Sequence, residues 1–375
     1  MDAAQLAATT VQVLLCTFAL SAALGAVLHA SHFCPMGAIS DMVLMQDASR
    51  LKQWALAAAV AIWGFAAMHM AGWIDPRQSI YGADKLLWLS SVLGGVLFGS
   101  GMVLASGCAS KSLVRLGAGN LKSLWVLLVM GVFGLATLKG LLAVWRVQGL
   151  EAVYVHAPQQ AFVGSWLALR TGWTVPVASA VAALGVGGLL SVWALYGAFT
   201  GRESRSNTMR WGGAAVGASV LALWWISGVW GHGLEHPETL EAFYVASGSG
   251  RMESFSFTSP VAMVMDAFMY FSDGSKRWTL GMVSVLGVVT GAAVHAVWTG
   301  TFRWEGFANR SDFVRHGVGG ALMGVGGVTA MGCTIGQGLS GLSTLSWMSL
   351  LTLLAIGAGA WWTLAWQWRQ LERAS

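Results

Sequence analysis

Hydrophobic residues run through this chain in long blocks separated by short polar pieces, a pattern unlike the alternating or one-faced stripes of a water-soluble fold. Blocks close to the roughly 20 residues that a bilayer core demands fall at Thr10 to Ala30, Gln53 to Trp73, Leu86 to Ala105, Leu121 to Trp145, Val175 to Phe199, Trp211 to Trp230, Trp278 to Trp298, Gly317 to Met331 and Trp347 to Trp366. They predict about nine transmembrane helices, the eighth short and rich in glycine. Three further apolar pieces, Pro35 to Met45, Ala161 to Leu169 and Val261 to Phe271, are too brief to span and read as half-helices or interfacial segments.

Composition agrees with this pattern. Hydrophobic residues make up 56% of the 375 and charged residues only 10%, against about a quarter charged in an ordinary soluble protein. Tryptophan outnumbers tyrosine by 21 to 5, and indole rings favour the headgroup region. The fold class is therefore an all-α integral membrane protein, forming one membrane domain without a polar linker between separate cores. Of the 21 Lys and Arg residues, 13 fall on one side and 8 on the other when the spans are threaded in order. The positive-inside rule then puts the N-terminus outside and the C-terminus in the cytoplasm of a bacterial inner membrane. The first block lacks the basic leader and small-residue cleavage site of a signal peptide. No nucleic-acid module is visible, so the basic balance reflects membrane orientation.

Two stretches, Gly94 to Cys108 (GGVLFGSGMVLASGC) and Gly319 to Cys333 (GGALMGVGGVTAMGC), align without a gap and share 9 of 15 residues. They read as an internal duplication. The eighth span lies five steps after the third, an odd number, so the copies should run in opposite directions through the membrane. The expected organisation is an inverted repeat, residues 1–200 carrying the Cys34 and Cys108 segments and residues 201–375 the Cys333 segment. Such architectures place the substrate near the midplane, where the halves meet. Gly95 with Gly99, and Gly320 with Gly324, form GxxxG faces suited either to close helix packing or to lining a pore.

After Cys108 the chain reads ASKSLVRLGAGN, and after Cys333 it reads TIGQGLSGLSTLS. Both are polar and too short to cross, so both are expected to be re-entrant loops. Irregular backbone at membrane depth survives only inside protein or beside an aqueous cavity, which argues for a pathway. Half-helix N-termini there would offer free N–H groups and a partial positive charge to a small anion. Lys111 and Arg115 could attract or release it, although positive-inside anchoring explains Lys111 equally well.

The four cysteines, Cys16, Cys34, Cys108 and Cys333, show no CxxC spacing and no zinc-type ligand pairs. Cys16, among Leu and Phe, reads as a small buried hydrophobe. Cys34 stands beside Pro35 and Gly37, and Cys108 and Cys333 end the duplicated segments behind Gly107 and Gly332. A thiol is a weak, polarizable donor able to meet a soft sulfur atom without holding it tightly. Conduction needs such weak successive sites.

These segments resemble the signatures of the YeeE/YedE family of membrane proteins. FGSGMVLASGCASKSLVRLGAGNLKSL and GGALMGVGGVTAMGCTIGQGLSGL match its two main motifs, HFCPMGAISD its first cysteine motif and SFSFTSP its mid-chain motif. Pro35 departs from the aromatic or apolar residue more frequent there. The resemblance implies an inner-membrane importer of thiosulfate or a related sulfur anion, with pathway cysteines at Cys34, Cys108 and Cys333. It also implies a small cytosolic sulfur-carrier protein of the TusA type as receiving partner. The expected mechanism is stepwise passage, the terminal sulfur taking S–H hydrogen bonds from successive thiols across a constriction lined by Gly107 and Gly332. No cofactor, metal or enzymatic step is expected. The alternatives are a membrane thiol-disulfide oxidoreductase using the same cysteines, and a transporter of a selenium compound.

Other motifs carry less. His232, Glu235 and His236 fit an H-x-x-E-H zinc string, but Gly233 and Pro237 oppose the helix it needs. His29 and His295 follow similar GAVLHA and GAAVHA stretches near helix ends, and Asp266 is expected to make a polar contact to a neighbouring loop.

Overall fold

The computed structural model describes residues 3–157, 160–199, 207–235, 241–274 and 276–374. Its helices are α1 (Ala3–Ala30), α2 (Pro35–Leu44), α3 (Ser49–Met70), α4 (Trp88–Leu104), α5 (Ala109–Gly117), α6 (Leu121–Leu138), α7 (Leu141–Trp145), α8 (Val163–Thr171), α9 (Val175–Phe199), α10 (Asn207–Trp225), α11 (Thr258–Met269), α12 (Leu280–Trp298), α13 (Arg310–Thr329) and α14 (Trp347–Ala374). Wider turns extend α7 over Arg146–Leu150 and α10 over Ile226–Trp230, and a further one occupies Gly336–Gly341. Sheet is confined, among the described residues, to two short antiparallel pairs, Lys85–Leu86 with Val155–His156 and His232–Gly233 with Phe243–Tyr244.

Among the described residues, eight helical stretches are long and apolar enough to cross a bilayer, and the remaining expected span is present as the 20-residue helix α13, which falls short in hydropathy and not in length. The eighth block is a helix, but it begins at Arg310 and carries Asp312, Arg315 and His316 in its first two turns, so polar residues dilute its hydropathy. The block Leu121 to Trp145 is not one span: the helix ends at Leu138, where Lys139 and Gly140 interrupt it. The three short pieces are the short helices α2, α8 and α11.

α4 and α13 cross antiparallel at the centre, and their contact is reciprocal. A Cβ placed on Gly94 would stand 2.8 Å from the Gly326 carbonyl oxygen and one on Gly326 2.6 Å from that of Gly94; Gly101 and Gly319 meet each other likewise, each at 2.7 Å. These positions exchange under the sequence alignment of the two segments, so the copies pack on each other about a local twofold relation. The relation extends outward: α1 packs on α12 as α10 packs on α3, and α4 packs on α14 as α13 packs on α6. The GxxxG faces serve this second layer. Gly99 lies against the Ile356 backbone of α14, and Gly324 against the Met130 backbone of α6. These close helix approaches replace the pore-lining alternative for those glycines. α9 sits outside this arrangement, packed on α3 and α8, and exposes Leu189 and Val192 as a lipid-facing helix would.

Candidate functional site

The two Gly-Cys segments build the same turn. α4 ends with Ser106 at φ 55° and α13 with Met331 at φ 57°. The amide of Gly107 returns to the Met102 carbonyl at 2.9 Å, and that of Gly332 to the Gly327 carbonyl at 2.8 Å. This Schellman-type closure stops each helix within one turn, and the next residue, Cys108 or Cys333, starts a new one. His32, at φ 51°, makes a related stop after α1, where Phe33 N–H returns to the Leu28 carbonyl and Cys34 caps α2.

The segments after the cysteines are thus helical from their first residue, not irregular loops. α5 follows Cys108, and helical turns over 334–342 follow Cys333. In all three places the thiol occupies the capping position. Cys34 Sγ accepts the Gly37 amide at 3.3 Å and Cys333 Sγ the Gly336 amide at 3.4 Å. Cys108 Sγ faces the Lys111 amide and lies 3.2 Å from Ser110 Oγ. Each sulfur therefore sits against the unpaired N–H groups and positive end of a short helix.

Tertiary packing brings these caps together. The Cys34 and Cys108 side chains interact directly, Cys108 also meets the Thr334 hydroxyl from the opposite segment, and Cys333 lies within electrostatic reach of Cys108. Cys333 Sγ in addition faces the amide of Phe257, the residue capping α11. All three thiols are free, with Cys34 9% exposed and Cys108 and Cys333 fully buried. Cys16 is exposed on the surface of α1, correcting its reading as a buried hydrophobe.

Lys111 and Arg115 are half-buried on α5. The Lys111 Cγ lies 3.3 Å from where a Cβ on Gly107 would stand, and Arg115 Nη1 donates to the Ser106 carbonyl at 2.7 Å. At Gly332 the same position is 3.1 Å from Gln337 Cγ, and Gln337 Nε2 donates to the Ala330 carbonyl at 2.8 Å. Arg115 opens into a polar cavity of about 430 Å³ shared with Asn120, Lys122, Arg303, Asp312 and His316. A second cavity, of about 270 Å³, lies at the other ends of α6 and α13 and is lined by Arg146, Glu253 and several serines.

Sequence reasoning missed Thr334, Ser110, Phe257, Tyr81 and Glu253. Thr334 was legible in one respect, because it follows Cys333 where alanine follows Cys108. Tyr81, whose hydroxyl donates to the Gly336 carbonyl and whose burial raises its pKa, arrives from a distant loop and had no local signal. His29 and His295 meet, Nδ1 to Nδ1 at 2.9 Å, across the α1–α12 contact. Asp266 takes Lys139 at 3.1 Å and Lys276 at 2.5 Å. His236 and Pro237 lie outside the described residues; among those described, no three metal-binding side chains cluster.

Fold and site together define a class: a multi-pass helical membrane protein in which Cys108 meets Cys34 and lies within electrostatic reach of Cys333 in the interior. Residues 30–362 match the family model described as sulphur transport, and the chain belongs to that family. It is 27% identical over 351 residues to the thiosulfate transporter TsuA of Spirochaeta thermophila, a match spanning 91% of this chain and 95% of the relative. It is also 27% identical over 354 residues to the thiosulfate transporter TsuA of Escherichia coli K12, covering 92% of each. Its role is sulfur transport, not catalysis.

Proposed function

We propose that this protein imports thiosulfate across the bacterial inner membrane through a constriction built by Cys34, Cys108 and Cys333 and edged by Gly107 and Gly332. The observation that carries this reading is that three buried thiols, each on a helix N-terminus, lie between segments that pack reciprocally, Cys108 touching Cys34 and within electrostatic reach of Cys333. Helix N-termini suit the anionic oxygens, and the thiols suit the terminal sulfur. The anion moves from Cys333 to Cys108 and Cys34, exchanging S–H hydrogen bonds without a covalent persulfide. The halves, residues 1–200 and 201–375, act as an inverted repeat with this point at their interface.

In this scheme the N-terminus is outside and the C-terminus cytoplasmic. The 430 Å³ cavity around Arg115 is then the inner mouth, where Lys111 and Arg115 favour the anion's release and a small TusA-type sulfur carrier receives it. Labelled thiosulfate uptake tests the scheme. Cys108→Ala and Cys333→Ala, expressed at normal levels, should each abolish uptake, and unchanged uptake in both would refute the pathway. Competition by sulfate, sulfite, sulfide and selenite sets the substrate. Sulfate competing as well as thiosulfate would remove the role given to the thiols, and selenite competing better would favour the selenium reading.

A further inference from the structure

The cavity of about 270 Å³ at the Cys333 end of the molecule holds an arrangement that the cysteine pathway does not use. Arg146, Glu253, Ser249, Ser254, Ser256 and Ser259 line it together with apolar side chains. It adjoins the Cys333 helix directly: Ser256 Oγ lies 2.7 Å from the position of a Cβ on Gly336, the residue whose amide donates to Cys333 Sγ. An acidic group here is unexpected in a path for anions.

Glu253 is half-buried at the cavity wall, where Oε1 accepts the Gly248 amide at 3.2 Å and Ser249 also hydrogen-bonds to it. The cations around it are engaged elsewhere. Arg146 pairs with Glu151, Arg251 donates to the Ser79 and Gly82 carbonyls, and Lys139 pairs with Asp266. Tyr81, facing from the α3–α4 loop, directs its hydroxyl to Gly336. Among the described residues no ion pair neutralises Glu253. A carboxylate partly desolvated at a cavity wall, with no cation paired to it, is shifted toward its protonated form. Burial pushes the Glu253 carboxyl up to about 7.

We propose that this cavity is a loading subsite for the oxygens of a small anion, in which Glu253 acts as a neutral acid that donates its O–H to the anion beside the serine hydroxyls. Deprotonated Glu253 repels the same anion, so loading requires the proton to be in place. The sign follows: below neutral pH the donor form dominates and the subsite fills, and above it the carboxylate empties it. The proposal rests on the thiosulfate-import reading and adds an entry site with its own proton requirement.

The test uses the full chain in proteoliposomes, with labelled thiosulfate supplied to the Glu253 face. Thiosulfate itself stays fully ionised near neutrality. Wild-type uptake should fall by up to about tenfold per pH unit above pH ~7, the limit for one essential proton. Glu253→Gln, a permanently neutral donor, should flatten that profile and keep uptake at alkaline pH. Because this variant could fold poorly, an indicator dye should also follow thiosulfate binding to the wild type in weak buffer, where net proton uptake is expected. Robust wild-type uptake independent of pH, a Glu253→Gln profile like that of the wild type, or binding without proton uptake overturns the subsite and leaves the cysteine pathway standing. No thiosulfate uptake at any pH overturns both.

Discussion

The two Gly-Cys segments are alike up to the sulfur and different immediately after it. Before it, both place a left-handed residue, a glycine and a capping cysteine at the end of a central helix. Beyond it, α5 is a regular helix carrying Arg115 to a polar cavity and Lys111 beside Cys34 and Cys108, whereas residues 334–342 are uncharged, wound as a wide turn and buried throughout. Each ties back to the preceding helix end through one side chain, Arg115 to Ser106 and Gln337 to Ala330. The duplication therefore preserves the presentation of a thiol, and the following residues give each thiol its own surroundings. A charged, wetter helix faces one mouth, and a sealed, neutral turn holds the other side.

The shared part should be the harder to disturb. Gly326→Val would drive a branched side chain into the Gly94 and Phe98 backbone, where a Cβ alone already lies 2.5–2.6 Å from Phe98 N and Gly94 O. A cost of about 3 kcal/mol or more is expected, read as loss of the monodisperse peak on size-exclusion chromatography. Survival of this variant would break the view of α4–α13 as a rigid shared scaffold.

Next in size is Gln337→Ala on the buried side. It strands the Ala330 carbonyl and the Ser349 hydroxyl, which Gln337 Oε1 accepts at 2.7 Å. About 1–3 kcal/mol should be lost. Arg115→Ala, on the wetter side, should cost under about 1 kcal/mol, since water can replace the guanidinium at Ser106. Thermal unfolding in detergent compares the two, and equal shifts would erase the contrast drawn between the sides. Conversely, Arg115→Ala should reduce uptake more than it reduces stability.

The smallest effect concerns the clasps on the short helices beside each segment. α2 is held by Asp41 to Arg50 at 3.3 Å and α11 by Asp266 to Lys276 and Lys139. Lys276 first, then Lys139, hold the Asp266 carboxyl below the usual carboxylate range. A depressed carboxylate stabilises the fold above its unfolded pKa, and that contribution fades as pH falls through the folded value. The melting temperature of the wild type should therefore drop slightly more steeply than that of Asp266→Asn as pH is lowered below about 4. Parallel curves would show that α11 does not depend on this clasp.

Much of this was legible in the chain. The long helices were legible because bilayer thickness sets block length, and α13 is the weakest of them in hydropathy because charged residues share its first turns with glycines. The short helices were foreseen as pieces too brief to cross. The half-helices after Cys108 and Cys333 were foreseen, but serine and glycine suggested more irregular backbone around them than the helices that start directly after each cysteine. The encounter of Cys34 with Cys108 was not legible, since 74 residues separate them and no local pattern links them.

The sequence by itself determined that this is a membrane protein, that a glycine-lined segment ending in cysteine occurs twice, and that a third cysteine stands at a helix break. Those are local properties, set by hydropathy, spacing and turn chemistry. Only the tertiary structure decided that the glycines pack helix on helix, that Cys34 and Cys108 meet as helix caps with Cys333 in electrostatic reach, and that Glu253 lines a cavity with no ion pair to its carboxyl. Contacts between distant segments depend on how whole helices cross, and no short stretch of sequence encodes that.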